Sequence, residues 1–106
     1  MKYLTANEET ILLAVLRLKD EAHGLAIQRQ IRDVTGRDYL YSTLYTTLEQ
    51  LVRKGCLSRR AGDPSPRRGG KRRIFFSLTR SGRTALQAAF NRHKAVWSGI
   101  TDDVLG

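Results

Sequence analysis

The sequence holds one cysteine, Cys56, in 106 residues, so no internal disulfide can form. Only His23 and His93 could join Cys56 as soft metal ligands, and their spacing fits no zinc pattern. No metal and no cofactor are expected, and Cys56 reads as a small core residue after the Lys54-Gly55 pair. Long hydrophobic runs are also missing. The longest, residues 11–16, is six residues, far short of the ~20 that a spanning helix needs, so no membrane partner is expected. No basic segment followed by an apolar stretch and a small-residue cleavage site opens the chain, and the expected location is cytoplasmic. Proline occurs twice, at positions 64 and 66, both within one turn-rich stretch. Neither histidine has an acid or nucleophile near it in a recognisable catalytic arrangement. Gly69-Gly70 precedes a strand rather than a helix, so it is turn chemistry and not a phosphate loop. An enzyme is not expected.

Acidic residues are few as well: ten Asp and Glu stand against nineteen Lys and Arg. The excess is concentrated. From Arg53 to Arg83 there are eleven basic residues and one acid, Asp63, a net +10 that leaves −1 for the other 75 residues. A one-sign block inside a folded domain sets up a field that suits a polyanion. At 41% hydrophobic and 27% charged, the remaining composition is that of an ordinary globular protein, and the length predicts one domain.

Thr5-Ala-Asn-Glu8 has the form of a capping box. Ile11, Leu12, Val15 and Leu16 follow at helical spacing, predicting a first helix over residues 6–18. A second is predicted over 24–34, with Leu25, Ile27, Ile31 and Val34 inward and Gly36 as its stop. A third is predicted from Ser42, taken as N-cap, to Lys54, with Gly55 ending it. On that helix Leu44, Leu48, Leu51 and Val52 share one side. Ser42, Thr43, Thr46, Gln50 and Arg53 lie opposite. An ordinary solvated face would carry Glu–Lys pairs; this one, uncharged until Arg53 in its last turn, carries short hydroxyls and an amide, groups able to enter a groove and bond to base edges. Tyr45 falls at the edge of the buried sector, half in the core, with a hydroxyl able to reach a phosphate.

After Gly55 the period turns towards alternation. Residues 57–61 and 71–78 read as two strands of a hairpin, with Ile74, Phe76 and Leu78 inward, around a Pro- and Gly-rich tip. Arg67, Arg68, Lys71 and Arg72 load the tip and the returning arm, and are assigned to phosphates or a minor groove. Arg53, Arg59 and Arg60 are read as solvated. Thr79 should cap a last helix whose Leu86, Phe90, Trp97, Ile100 and Val104 repeat at heptad steps, with His93 at the same phase. Gly99 interrupts that seam at about 1 kcal/mol against Ala.

The order of elements gives a mainly α fold with a small β-hairpin (α+β), a winged helix-turn-helix. Residues 1–78 are expected to form the DNA-binding unit, and 79–106 a C-terminal helix and tail, which the resemblance given next makes the dimerisation element. His23-Gly-Leu-Ala-Ile27, Ser42-Thr-Leu-Tyr-Thr-Thr-Leu48, Leu51-Val-Arg-Lys-Gly-Cys-Leu57 and the run from Gly69 to Thr79 with Gly82-Arg83 resemble four motifs of the PadR family of bacterial transcriptional regulators. Thr46 stands where that family usually has proline, Arg72 replaces the wing proline, and Phe75-Phe76 replaces a tyrosine pair. The resemblance implies a homodimeric, repressor-like protein on a near-palindromic operator in double-stranded DNA. It implies a dimer built from the N- and C-terminal helices, which puts Ile11, Leu86, Phe90, Trp97 and Ile100 at the interface. It further implies a small-molecule effector between the halves, for which Trp97 is the candidate stacking residue, although its simpler role is an interface anchor. The alternative reading is a winged-helix interaction module that binds RNA or an acidic protein partner through the same basic block. Such a module would need exposed aromatics for stacking, and only Phe75 is available.

Overall fold

The computed structural model describes residues 3–64, 69 and 72–106. Along the chain run α1 (Ala6–Leu18), a 3-10 turn (Lys19–Glu21), α2 (Gly24–Thr35), α3 (Tyr41–Arg53), β1 (Leu57–Pro64), β2 (Arg72–Leu78), α4 (Arg80–Trp97) and α5 (Thr101–Leu105). This is a mainly helical domain with one antiparallel hairpin.

The capping box at the start of α1 is complete. Glu8 N–H donates to Thr5 Oγ1 at 3.1 Å, and Thr5 N–H donates to Glu8 Oε1 at 2.9 Å. Below it, Ile11, Leu12 and Val15 face inward and meet Ile27 and Ile31 of α2 and Leu44, Leu48 and Leu51 of α3. Phe76 of β2 and Leu57 of β1 close the core from the hairpin side. The buried face of α3 is thus the one expected, except that Val52 is only partly buried.

Several expectations are corrected. Ser42 is not the N-cap of α3: the helix starts two residues earlier than that cap implies, at Tyr41, and Leu40 occupies the cap with no side-chain hydrogen bond. Tertiary contacts set that entry. Gln28 Nε2 donates to the Tyr39 carbonyl at 2.8 Å, and Tyr39 Oη donates to Asn7 Oδ1 at 2.9 Å. Leu25 and Val34 are exposed. Leu25 lies about 160° round the helix from Ile27, whereas Val34 has the inward phase but sits in the last turn, beyond what the rest of the chain covers. Ile11 is 1% exposed, so it belongs to the domain's own core and cannot face a second chain; the exposed apolar residues of α1 are Leu13 and Leu16. The C-terminal seam is broken. After Trp97 the chain leaves the helix at Ser98, Gly99 takes φ +82°, and α5 restarts at Thr101. Ile100 and Val104 therefore do not extend the α4 face as one straight stripe.

Beyond the hairpin ladder, Phe76 N–H donates to the Ala22 carbonyl at 2.8 Å, and His23 bridges Phe75. The segment between α1 and α2 thus acts as a short third strand that seats the hairpin against the helices. On the other side, Thr79 caps α4. Its hydroxyl accepts from Gly82 N–H at 3.0 Å, and its backbone N–H donates to the Cys56 carbonyl at 3.1 Å.

One buried charge crosses the domain. Glu8 is 4% exposed, and Lys54 Nζ reaches its Oε2 at 2.5 Å. Burial alone would raise the Glu8 pKa, but the bonds from Lys54 and Thr5 outweigh it and hold the carboxyl below its ordinary range. Stability from a lowered carboxyl pKa is present above the ordinary range and is lost as pH falls through the folded value. Glu8→Gln keeps the capping box and removes the ion pair. It should destabilise the protein by about 1–2 kcal/mol at pH 7, given that Lys54 is half exposed. In urea titrations the gap to the parent should close on acidification; a gap independent of pH would refute the assignment.

Candidate nucleic-acid interface

The third helix supplies one flank of the candidate surface. Ser42, Thr43, Thr46, Gln50 and Arg53 are all exposed, as their helical phase requires. Thr46 Oγ1 donates to the Ser42 carbonyl at 2.9 Å, and Thr47 Oγ1 to the Thr43 carbonyl at 3.1 Å. Both hydroxyl protons are then engaged within the helix, leaving methyl groups and oxygen lone pairs outward. Tyr45 is half-buried, with its ring edge-on to Phe76 at 6.2 Å between centroids and tilted against Tyr41 at 6.0 Å.

The hairpin lies along the Tyr45 side of this stripe. An open cleft of about 530 Å³ is lined by His23, Gly24 and Leu25 of the α2 entrance, Tyr41 and Tyr45 of α3, and Arg72, Arg73 and Ile74 of β2. Sequence reading missed Tyr41 and Arg73. The available signal was Gly24: a Cβ there would come within 2.5 Å of the Tyr41 hydroxyl, so the glycine lets that ring lie against the start of α2. Farther along, Arg59 pairs with Glu49 of α3, tying β1 to the edge of the stripe. The exposed face of α3 and the arginine-bearing strands are therefore neighbours. Arg67, Arg68 and Lys71 lie outside the described residues, and Arg72 is exposed at the start of β2.

Not all of the basic block is free to act outward. Lys54 is held by Glu8 and Arg59 by Glu49, and Arg60 lies over the Phe75 ring at 4.7 Å. Arg59 and Arg60 are exposed, as expected, and each also has a partner within the domain. Phe75 is half-buried between that guanidinium and the His23 ring, 5.6 Å away, so it is no open stacking platform. Burial pushes the Cys56 thiol pKa up, and the Glu8 carboxylate adds to this against the opposing Lys54 charge. The thiol stays protonated and inert.

The candidate interface residues of the C-terminal region divide. Leu86 is partly buried against the core, while Phe90, Trp97 and Ile100 are exposed at 61%, 41% and 46%. Val96 and Val104 are exposed as well. His93 Nε2 is 2.7 Å from Glu9 Oε1, and the Arg92 guanidinium stacks on Tyr3 at 3.9 Å. These two contacts fasten the middle of α4 to the start of α1. Among the described residues, no helix is long and apolar enough to cross a membrane.

The profile of the PadR-like transcriptional regulator family matches residues 12–88. No curated protein sequence matches the chain. Among solved structures, a PadR family transcription regulator from Clostridium difficile is 22% identical at TM-score 0.67, with 92% of this chain and 98% of that chain covered. A PadR family transcriptional regulator from Eggerthella lenta is 22% identical at TM-score 0.69, with 87% and 78% covered. RosR from H. salinarum is 24% identical at TM-score 0.68, with 91% and 79% covered. These likenesses carry the fold, a winged helix. The profile match, which spans the core helices, the hairpin and the start of α4, carries the family: this chain belongs to the PadR-like family of transcriptional regulators, which are not enzymes.

Proposed function

We propose that the protein is a homodimeric regulator, repressor-like in action, that reads double-stranded DNA at a near-palindromic operator. α3 enters the major groove and presents Ser42, Thr43, Thr46 and Gln50 to base edges. Tyr45 and the wing residues Arg67, Arg68, Lys71 and Arg72 hold the flanking backbone, with the wing (residues 62–73) on phosphates or in the minor groove. The observation that carries this reading is that the Tyr41–Tyr45 edge of α3, beside its exposed stripe of hydroxyls and amide, shares a cleft with Arg72 and Arg73 of β2.

Residues 1–78 act as the DNA-binding unit and 79–106 as the dimerisation element. Phe90 and Trp97, seven residues apart on one face of α4 and both exposed, support the homodimer, with Ile100 exposed just beyond the break, since exposed large apolar groups on one face suit a partner surface. Trp97 at the junction of two such chains would be the platform for a small-molecule effector. The covered Phe75 disfavours the RNA-binding alternative.

Selection of bound duplexes from a random DNA pool with the purified protein tests the reading. It should return a motif with two-fold symmetry and half-sites about one helical turn, or a multiple of it, apart. An enriched pool without any motif, or structured RNA outcompeting duplex DNA, would refute it.

A further inference from the structure

A helix that fills a major groove about 12 Å wide runs between two rows of phosphates, one along each flank. Among the described residues, the strands of the hairpin flank α3 on the Tyr45 side. On the opposite flank, where Thr43 and Thr47 emerge about 140° and 100° from Leu48, the structure holds a second cleft of about 220 Å³. Asn7, Arg37, Asp38 and Tyr39 line it with those two threonines. We propose that Arg37 is a phosphate clamp for the DNA backbone along this flank, opposite the one that β1 and β2 adjoin. This rests on the DNA-binding reading above and assigns a contact outside the basic block from which that reading began.

Arg37 is preset for the task. Its Nη1 donates to Asn7 Oδ1 at 3.3 Å, its guanidinium lies over the Tyr39 ring at 5.0 Å, and its backbone N–H donates to Thr35 Oγ1 at 3.1 Å. A guanidinium has five N–H donors; one is used by Asn7, leaving a fork for a phosphate. The acids of this corner are engaged elsewhere. Asp38 faces Arg32 at 3.9 Å, Glu8 is bound by Lys54, and Glu9 meets His93. Among the described residues Arg37 itself is in no ion pair. The loop does not need its charge, because Tyr39 is already held by Asn7 and Gln28. A purely structural arginine would be redundant here.

The test uses the full chain and a mixed-sequence duplex, so that it does not depend on finding an operator. Arg37→Gln should leave thermal stability near the parent's and weaken binding about tenfold per bound chain at 0.1 M salt. The slope of log affinity against log salt should fall by about 0.9 for each chain. Arg37→Lys should restore most of the slope. On the selected operator, neutral methylphosphonates placed one at a time should reveal sensitive phosphates on both strands beside the read bases. One set should lose its sensitivity in Arg37→Gln. A parental slope in Arg37→Gln, or sensitive phosphates on the wing side alone, would overturn the clamp while leaving DNA binding intact. A parent protein with no salt-dependent affinity for duplex would overturn both.

Discussion

Replacing Arg67, Arg68, Lys71 and Arg72 together by glutamine is expected to reduce affinity for duplex DNA of any sequence by about a thousandfold or more at 0.1 M salt. The slope of log affinity against log salt should flatten with it. The size follows from counterion release. Each neutralised phosphate contributes about 0.9 to the slope, hence close to tenfold in affinity at 0.1 M salt, and four cations on each of two chains amount to some eight contacts, so a thousandfold loss needs fewer than half of them to touch phosphate. Thr46→Ala or Gln50→Ala should behave differently. Their side chains point away from the core on an uncharged stripe, so they should change which sequences are preferred, by about 1–3 kcal/mol at the affected base pair, and leave the salt slope unaltered. Measuring both sets on the selected operator and on mixed-sequence duplex separates the roles. Equal loss on all DNA from both would defeat the division between positioning wing and reading helix.

Gly82→Ala should destabilise the protein by about 2–4 kcal/mol, although alanine is favoured over glycine in a helix by about 1 kcal/mol. Gly82 is buried in the first turn of α4, where a methyl group would collide with the Cys56 carbonyl oxygen and lie 2.7 Å from Leu78 Cδ1. The carbonyl cannot retreat cheaply, because it accepts the Thr79 N–H, and Thr79 is the cap of the same helix. The missing side chain is therefore what lets α4 dock against the exit of α3. Against a total stability of about 5–15 kcal/mol, the loss should lower the melting temperature by some 10–25 °C. Ser81→Ala, exposed one residue earlier, is the control and should change it little. A Gly82→Ala protein as stable as the parent would show that α4 docks less closely than described.

Both predictions use residues that could be picked out before any fold was known, but for unequal reasons. The capping box at Thr5 and Glu8, the caps at Gly36 and Thr79 and the leucine ladder of α3 depend on spacing within one or two turns, and each formed where the local pattern put it. The start of α3 did not. Ser42 is a good cap by residue type, yet the entry is fixed by Gln28 and Asn7 acting on Tyr39, contacts that no local window contains. The same holds for Glu8 and Lys54, 46 residues apart. It also holds for Ile11, whose helical phase was right but whose neighbours were unknown.

Composition and periodicity determined the kind of molecule. A helical domain with an uncharged outer stripe and an arginine-loaded hairpin follows from residue types, because burial and solvation act on each position by its own chemistry. Tertiary structure decided which charges remain available. It took Lys54 and Arg59 into pairs within the domain, laid Arg60 on Phe75, and set Arg37, a residue unremarkable in sequence, on the flank of the reading helix. Pairing falls off steeply with distance in a screened medium, so which cation meets which partner is settled only when the chain brings them together.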